Sequence, residues 1–169
     1  MGETMQEWFA LYVKSKHEFV TNSALREKNV ETFLPSVFKR RQWKDRHKLV
    51  HFPLFPGYLF VHLQPYPVEF LKVLKTKGAV TFISLDSGIP TPVYSEELNS
   101  LKLMIESGKE LDLYPHLKEG SRVRVKRGPL KGAEGMLIRK ENQHMFIVNI
   151  NLLGRSIGLR IYSDDVEDA

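Results

Sequence analysis

Hydrophobic and polar positions in the first two thirds of the chain follow the two-residue period of strands in some segments and the helical period in others. Four short apolar runs have the spacing of strands, and they lie at Trp8–Val13, Val30–Phe38, Leu54–Leu63 and Ala79–Leu85. Helical spacing follows the first, third and fourth of these runs, and the helices are expected to end near Lys28, Lys75 and Gly108. This order predicts an α+β layer in which helices cover a mainly antiparallel sheet.

The pattern after residue 118 is that of strands alone, with four predicted at Arg122–Lys126, Met136–Lys140, Met145–Ile150 and Arg155–Tyr162. A domain of roughly 50 residues is near the lower limit for independent folding, and closing its sheet into a barrel would remove the edges. Residues 109–117 have no strong period and include Pro115, which indicates a linker. We therefore expect an α+β domain at 1–108, a linker at 109–117 and a small all-β barrel at 118–169.

The segment Ser121–Leu137 combines two short strand patterns with a basic turn that contains glycine. Val123 and Val125 alternate with basic residues, as expected of a strand with one buried face. Gly128 and Pro129 end this strand, and further glycines bracket the next one. The residues alone leave two interpretations open: an ordinary hairpin with a solvated loop, or the opening hairpin of a nucleic-acid-binding barrel.

Composition limits the classes of function. The 169 residues carry a net charge of +5, which permits contact with a polyanion without requiring it. The absence of cysteine excludes disulfides and cysteine-based metal sites and agrees with a reducing cytoplasm. The histidines have no compact ligand spacing with carboxylates, and no phosphate-binding loop or nucleophile elbow occurs, so we expect no metal, no cofactor and no enzymatic activity. No apolar run reaches the roughly 20 residues of a membrane span and Met1–Gln6 is not a signal peptide, so a soluble, monomeric cytoplasmic protein is expected.

A basic run lies between the second and third predicted strands. Asp45 is its one acid, and its cations are Lys39, Arg40, Arg41, Lys44, Arg46 and Lys48. Such a run is commonly a solvated loop. The alternative is a protruding hairpin tip that binds nucleic-acid phosphates, which would give salt-dependent affinity with little sequence preference. Trp43 could stack on a base or pin the loop to its own domain, and the sequence does not choose between these roles.

The segment Leu54–Leu63, shortly after this run, alternates aliphatic and aromatic residues from Tyr58 onward. The aliphatic residues share one face and indicate a core. Tyr58 and Phe60 lie on the other face, and Tyr12 on the first strand is a further candidate for the same surface. These rings either pack under a helix or form an exposed patch that binds a protein partner, and periodicity leaves both open.

Four features together resemble the NusG family: Trp8-x-x-x-Tyr12-Val13, the Ser15–Lys28 helix, the string LFPGYLFV at 54–61, and the Ser121–Leu137 segment, which is similar to a KOW motif. The resemblance covers almost the entire chain and implies an NGN-type N-terminal domain followed by a KOW domain. The residues RQWKDRHK before PLFPGYLFV are more similar to specialised paralogs, such as RfaH-type and polysaccharide-operon antiterminators, than to housekeeping NusG.

The resemblance implies a transcription elongation factor. In the family, the NGN domain binds the clamp helices of the RNA polymerase β′ subunit through an aromatic patch and bridges toward the β subunit. The matching residues here are Tyr12, Tyr58 and Phe60. Bridging would favour the closed clamp, which reduces pausing and promotes antitermination. The resemblance also implies contacts with upstream or non-template DNA by Lys14, Lys16, Arg26 and the cations of the basic run.

The resemblance further implies that the KOW domain recruits another partner. In the family, a loop near the third and fourth strands of this domain contacts the ribosomal protein NusE or the termination factor Rho, and the corresponding residues here are Leu152, Leu153 and Arg155. Housekeeping NusG carries phenylalanine where Leu153 stands. Leucine keeps the site apolar with less aromatic area, which disfavours Rho, and NusE stays as the other partner that the resemblance implies. The strand-rich sequence favours a constitutive barrel over the helical refolding of RfaH-type factors.

A rival interpretation is an RNA- or ribosome-binding KOW protein that acts in translation or ribosome assembly. Such a protein would use the basic hairpin and the barrel directly. A ribosomal KOW protein would lack the first half of this chain, so the elongation factor is the main expectation.

Overall fold

The computed structural model describes residues 5–86, 88–117 and 120–169. The chain divides into two compact units, with the division between Pro92 and Val93. In the described residues, the first unit combines α-helices with strands, and the second has a single α-helix followed by strands. This confirms the predicted α+β class with an all-β sheet toward the C-terminus.

An antiparallel sheet, a separate two-stranded hairpin and two α-helices make up the described part of the first unit. Its elements, in chain order, are β1 (Glu7–Val13), α1 (Glu18–Glu27), β2 (Glu31–Phe33), β3 (Ser36–Trp43), β4 (Arg46–Pro53), β5 (Tyr58–Leu63), α2 (Pro67–Leu74), β6 (Ala79–Phe82) and, at the division between the units, β7 (Pro92–Val93). The order β2-β5-β1-β6 places β1 between β5 and β6, antiparallel to both. Strands β3 and β4 form a separate two-stranded hairpin.

Alternating side chains of β1 and β5 build the core of this unit. Phe9, Leu11 and Val13 of β1 belong to one buried cluster with aliphatic residues of β5, with Leu25 of α1 and with Val73 of α2. Full burial of such a side chain contributes about 1.5–3 kcal/mol. A slip of one residue in either strand would move these side chains to the other face, so the alternation also specifies the register.

Three predicted boundaries in this unit are wrong, each for a local reason. Helix α1 begins at Glu18, so the predicted helix start at Ser15 is too early. Pro35, which has no N–H to donate to a strand ladder, lies between β2 and β3 and splits the predicted second strand. Strand β5 begins only at Tyr58 because the preceding residues from Phe55 form a turn.

One α-helix and a six-stranded antiparallel sheet make up the described part of the second unit. Its elements are α3 (Ser95–Glu106), β8 (Asp112–Pro115), β9 (Ser121–Val125), β10 (Glu134–Lys140), β11 (Gln143–Ile150), β12 (Arg155–Ile161) and β13 (Val166–Asp168). The strand order is β13-β9-β10-β11-β12-β8. Val123, Phe146, Ile157 and Leu159 are among its buried apolar residues. The four strands predicted for this region are confirmed as β9 to β12.

The second unit also contains residues that the sequence assigned elsewhere. Helix α3 was predicted as part of the N-terminal domain. In the structure it is hydrogen-bonded to the sheet of the second unit, where Ser100 Oγ accepts a hydrogen bond from the Glu134 N–H at 3.1 Å. The predicted linker contains β8, which pairs with β12. Only four residues long, β8 is too short for a period to distinguish it from a loop. The domain boundary at residue 108 stays a prediction.

Candidate functional site

A tight turn precedes β5 and shapes the candidate partner-binding surface. The Tyr58 N–H donates to the Phe55 carbonyl at 3.0 Å, and Gly57 between them has a φ of 88°. Pro56 at the second position and a positive-φ glycine at the third are typical of a type II turn. An L-residue with a side chain rarely adopts this φ, so the turn accounts for the glycine in the LFPGY string.

Tyr12 and Tyr58 form a pair next to this turn. They lie directly opposite each other on β1 and β5, with ring centroids 5.5 Å apart. Tyr12 is 40% exposed and Tyr58 is half-buried. A Cβ added at Gly57 would lie 3.2 Å from Tyr12 Cε2, so the missing side chain leaves room for the Tyr12 ring beside the turn. The structure thus brings two of the three predicted polymerase contacts together.

Phe60, the third predicted contact, lies elsewhere on the same strand. Its side chain is fully buried, at 0% exposure. Its ring centroid lies 6.2 Å from that of Phe33 and 6.5 Å from that of Phe55. Alternation placed Phe60 on the same sheet face as Tyr58, but this depth of burial gives it a packing role in the free chain. Its part in polymerase binding stays a prediction.

The basic run forms the β3–β4 hairpin, in which every residue from Phe38 to Leu49 is exposed. Of the two alternatives that the sequence left open, the structure has a hairpin and not an irregular loop, and Lys44 lies in its two-residue turn. Directly opposite residues of an antiparallel pair share a face, and neighbours along a strand alternate between faces. The register then puts Lys39, Arg41, Trp43, Arg46 and Lys48 on one side, with Val50 opposite Lys39, and we call this side the basic face.

The opposite face of the hairpin is mixed. It combines Phe38, Leu49 and His51 near its base with the polar residues Arg40, Gln42 and His47 toward its tip. The rings of Phe38 and His51 stack at 4.2 Å, and the ring of Phe19 from α1 lies 4.8 Å from His51. The two faces of one hairpin therefore differ in chemistry, and the neighbouring residues Arg40 and Arg41 point to different sides.

Trp43 lies on the basic face and is 53% exposed. The Arg41 guanidinium carbon lies 5.5 Å from its ring centroid, within the range of a cation–π contact. A ring so exposed keeps a surface on which a base could stack. Within the described residues, none of the four basic-face cations takes part in an ion pair. Their charges are therefore available to a polyanion.

The remaining predicted DNA contacts lie on other elements. Lys14 and Lys16 are exposed in the connection between β1 and α1, and Arg26 is exposed in the last turn of α1. Arg26 Nε donates to Thr32 Oγ1 at 3.0 Å, so this side chain also ties α1 to β2. The three cations thus lie at the two ends of α1, whereas the hairpin carries the dense group.

The predicted partner loop of the C-terminal unit connects β11 to β12. It is a short 3₁₀ helix, Asn151–Leu153, followed by Gly154 in the left-handed conformation. Leu152 and Leu153 are half-buried, and Arg155 is exposed. The structure therefore places the three predicted residues in one short segment with both apolar and charged character.

Asn151 is held from two sides. Its N–H donates to Glu97 Oε2 of α3 at 3.2 Å, and its Oδ1 lies 2.7 Å from His116 Nε2. Burial raises the pKa of Glu97, while the hydrogen bond from the Asn151 backbone acts in the opposite direction. The start of the partner loop is thus fixed to α3 and to the segment after β8, which the sequence did not indicate.

The basic residues of β9 are paired. Arg124 Nη2 lies 2.7 Å from Glu134 Oε1, and Arg122 Nη2 lies 3.1 Å from Glu134 Oε2. The hydrogen bond from Arg124 holds the pKa of Glu134 below its usual range. Two cations that share one carboxylate in this way are less available to a phosphate, which favours the ordinary-hairpin interpretation of Ser121–Leu137.

No helix of 5–86, 88–117 or 120–169 has the length and apolar character needed to cross a membrane. In those ranges, no three His, Asp or Glu side chains are grouped so that they could hold a metal ion.

The described geometry defines a two-unit protein of the α+β class, with a partly exposed tyrosine pair and a basic hairpin in the first unit and an all-β sheet in the second. A family model described as "Transcription termination factor nusG" matches residues 6–102. Since this match covers more than half of the chain, the chain belongs to the NusG family.

Individual relatives agree with this assignment. The chain is 29% identical to "Transcription termination/antitermination protein NusG" of Chlamydia pneumoniae, with 73% of this chain and 72% of the relative covered. It is 26% identical to the protein of the same name from Chlamydia trachomatis serovar D, with 96% and 92% covered. The solved structure "Domain interaction in Thermotoga maritima NusG" matches with a TM-score of 0.52 at 22% identity, covering 99% of each chain, which shows a shared fold.

Proposed function

We propose that the chain is a transcription elongation factor that binds RNA polymerase at the β′ clamp helices, reduces pausing and promotes antitermination. Family membership and the names of the relatives, which are termination/antitermination proteins, support this role. The observation that carries the proposal is the Tyr12–Tyr58 pair. Its two rings are in contact across neighbouring strands, and Tyr12 is 40% exposed.

The tyrosine pair suits a protein interface for a physical reason. A tyrosine ring supplies a large contact area with only two rotatable side-chain bonds, and its hydroxyl can remain solvated or find a partner. Binding to the clamp helices through this pair, together with contact to the β subunit, would favour the closed clamp. The size of the effect is the difference between the affinities for the closed and open states. Phe60 would support the aromatic face by packing against Phe33 and Phe55.

The basic face of the hairpin would contact upstream or non-template DNA. Along each strand, the residues between these cations point to the opposite face, so the cations form one continuous surface along the ribbon. Trp43 would add stacking on an unpaired base. Lys14, Lys16 and Arg26 would make additional phosphate contacts, and Arg40 and Lys44, which lie outside this face, would contribute less.

The second unit would recruit a further partner, the ribosomal protein NusE, through Leu152, Leu153 and Arg155. The support is the exposed edge of the loop and its fixed start at Asn151. Pairing of the β9 arginines with Glu134 argues against direct nucleic-acid binding by this unit.

Binding of the full chain to the isolated clamp-helix fragment tests the proposal. Tyr58→Ala should weaken binding by about 2 kcal/mol, or roughly 30-fold, if this ring is an interface anchor. Tyr162→Ala is the matched control because Tyr162 is 79% exposed in the second unit, and it should bind as the wild type does. Equal affinity of the Tyr58→Ala variant and the wild type would refute the assignment.

An elongation assay tests the consequence for transcription. The wild-type chain should shorten pause lifetimes on a purified polymerase, and Tyr58→Ala should do so only at higher concentration. Unchanged pause lifetimes at saturating wild-type protein would remove the antipausing claim. Tight binding to RNA with no polymerase association would support the rival, an RNA- or ribosome-binding protein.

A further inference from the structure

A buried carboxylate of α1 holds the turn beside the tyrosine pair. Glu18 is only 5% exposed, and its Oε1 accepts a hydrogen bond from the Gly57 N–H at 3.0 Å. Burial of a carboxylate is unfavourable unless hydrogen bonds replace the lost water. Its position in the first turn of α1 also favours a negative charge. A carboxylate buried at this position therefore indicates a backbone group nearby that needs a hydrogen-bond acceptor.

The backbone group that needs this acceptor is the N–H of Gly57. The hydrogen bond that closes the type II turn joins Phe55 and Tyr58, so it leaves both polar groups of Gly57 unused. Gly57 is buried, and each buried backbone group needs a partner. The Val13 N–H donates to the Gly57 carbonyl at 2.8 Å, and Glu18 accepts from the Gly57 N–H. Together the two bonds fix the middle of the turn between α1 and β1.

We propose that Glu18 is a positioning residue for the Tyr12–Tyr58 pair. By holding Gly57, it fixes the turn beside which the Tyr12 ring lies and from which Tyr58 enters β5. This inference rests on the proposed function, because it assigns Glu18 to the same polymerase-binding surface. Glu18 does not itself contact the partner, and it acts through the peptide of Gly57.

Thr21 provides a matched control for a merely structural role. It lies one turn further along α1, is 0% exposed, and its Oγ1 donates to the Lys77 carbonyl at 2.8 Å. This bond ties α1 to a different turn, next to Gly78. Loss of either bond should lower the stability of the unit, but only loss of the Glu18 bond should disturb the tyrosine pair.

Four variants of the full chain separate these roles. Glu18→Met keeps the length of the side chain without a comparable acceptor, and Glu18→Asp keeps the charge but is too short to reach Gly57. Glu18→Gln keeps an acceptor oxygen at the same distance without the charge. Thr21→Val removes the control bond. Each variant is measured for affinity to the clamp-helix fragment, for the nuclear Overhauser effect between the Tyr12 and Tyr58 rings, and for its urea midpoint.

We expect roughly tenfold weaker binding and a weaker inter-ring effect for Glu18→Met and Glu18→Asp. Glu18→Gln should remain within about twofold of the wild type, because an amide oxygen still accepts the bond. Thr21→Val should also bind within about twofold despite a lower midpoint. If Glu18→Met does not fold, the Asp variant carries the same comparison.

Two results would overturn the inference: an unchanged inter-ring effect in Glu18→Asp, or a Thr21→Val variant that loses as much affinity as the Glu18 variants. The inter-ring measurement needs no polymerase. Failure of the proposed function would appear as Tyr58→Ala binding normally, and the role of Glu18 in positioning the rings would still be decided by the inter-ring effect.

Discussion

The two faces of the β3–β4 hairpin lead to a prediction with an internal control. Arg40 and Arg41 are neighbours in sequence, are both exposed and lie on opposite faces of the ribbon. Arg41→Gln removes a cation from the basic face, whereas Arg40→Gln removes the same charge from the opposite face. The net charge of the chain changes equally in the two variants, so a difference between them measures geometry and not overall electrostatics.

The expected size of the effect follows from counterion release. If all four cations of the basic face contact phosphates, the logarithm of the DNA affinity should fall with the logarithm of salt with a slope of about −3 for a single strand and about −3.5 for a duplex. Affinity would then drop roughly 50- to 150-fold between about 50 and 200 mM salt. Arg41→Gln should make the slope shallower by about 0.7–0.9 and weaken binding about sixfold at about 0.1 M salt.

Fluorescence anisotropy of a labelled 12-nucleotide single strand, and of a duplex of the same sequence, measures these slopes over a salt series. Trp43→Ala should weaken single-strand binding by about 1–3 kcal/mol with little change in slope, because stacking involves no counterion. Phe38→Ala is its control, since Phe38 is 63% exposed on the opposite face. Equal effects of Arg40→Gln and Arg41→Gln would show that the face division does not govern nucleic-acid binding.

Two further predictions concern stability. Gly57→Ala should lower the free energy of unfolding by more than about 1 kcal/mol, because an alanine at a φ of 88° is strained and its Cβ would approach the Tyr12 ring. The same variant should also bind the clamp-helix fragment more weakly. A urea midpoint equal to that of the wild type would contradict this reasoning. Arg124 holds the pKa of Glu134 below its ordinary value of 4.5, so the pair stabilises the fold above that pH, and this stability is lost as the pH falls through the folded-state pKa. Thermal melts of Glu134→Gln should therefore show a smaller loss of stability below about pH 4.5 than those of the wild type. If the melting temperatures of the two proteins fall equally with pH, the pair does not contribute.

The sequence predicted which residues share a face more reliably than how deeply each is buried. Alternation correctly put Tyr58 and Phe60 on one side of β5, yet Phe60 is fully buried while Tyr58 is half-buried. The alternation of residues along a strand tells only to which face of the sheet each side chain points. Burial depends on which other elements lie over each position, here including Phe33 and Phe55, and that information comes from tertiary contacts.

The basic hairpin shows a second limit. Its strands are polar on one face and mixed on the other, and both faces are exposed, so no apolar period reveals them. The sequence indicated a charged protrusion but not the register that separates Arg40 from Arg41. Glu18 shows a third limit. The sequence placed it inside a helix that starts at Ser15, whereas it lies in the first turn of α1 and accepts a hydrogen bond from the Gly57 N–H, a tertiary contact that no local spacing reveals.

The end of β1 is held from two sides by glycine turns. The Val13 N–H donates to the Gly57 carbonyl at 2.8 Å, and the Lys14 N–H donates to the Gly78 carbonyl at 2.9 Å. Gly78 has a φ of 87°, and a Cβ at this position would clash with Thr21 Oγ1. This turn therefore needs glycine both for its backbone conformation and for its close packing against α1. Two turns distant in sequence thus converge on Val13, the last residue of β1, and on Lys14 directly after it.

Helix α1 makes this convergence possible, because Glu18 bonds to the first turn and Thr21 bonds beside the second. The end of β1 that carries Tyr12, and Lys14 directly after it, are therefore fixed by backbone hydrogen bonds that involve neither side chain. Truncation of either side chain should leave the backbone in place, so a loss of binding in Tyr12→Ala or Lys14→Ala would report a lost contact and not a local rearrangement. This separation of positioning from contact is what allows single substitutions on this surface to be interpreted one at a time.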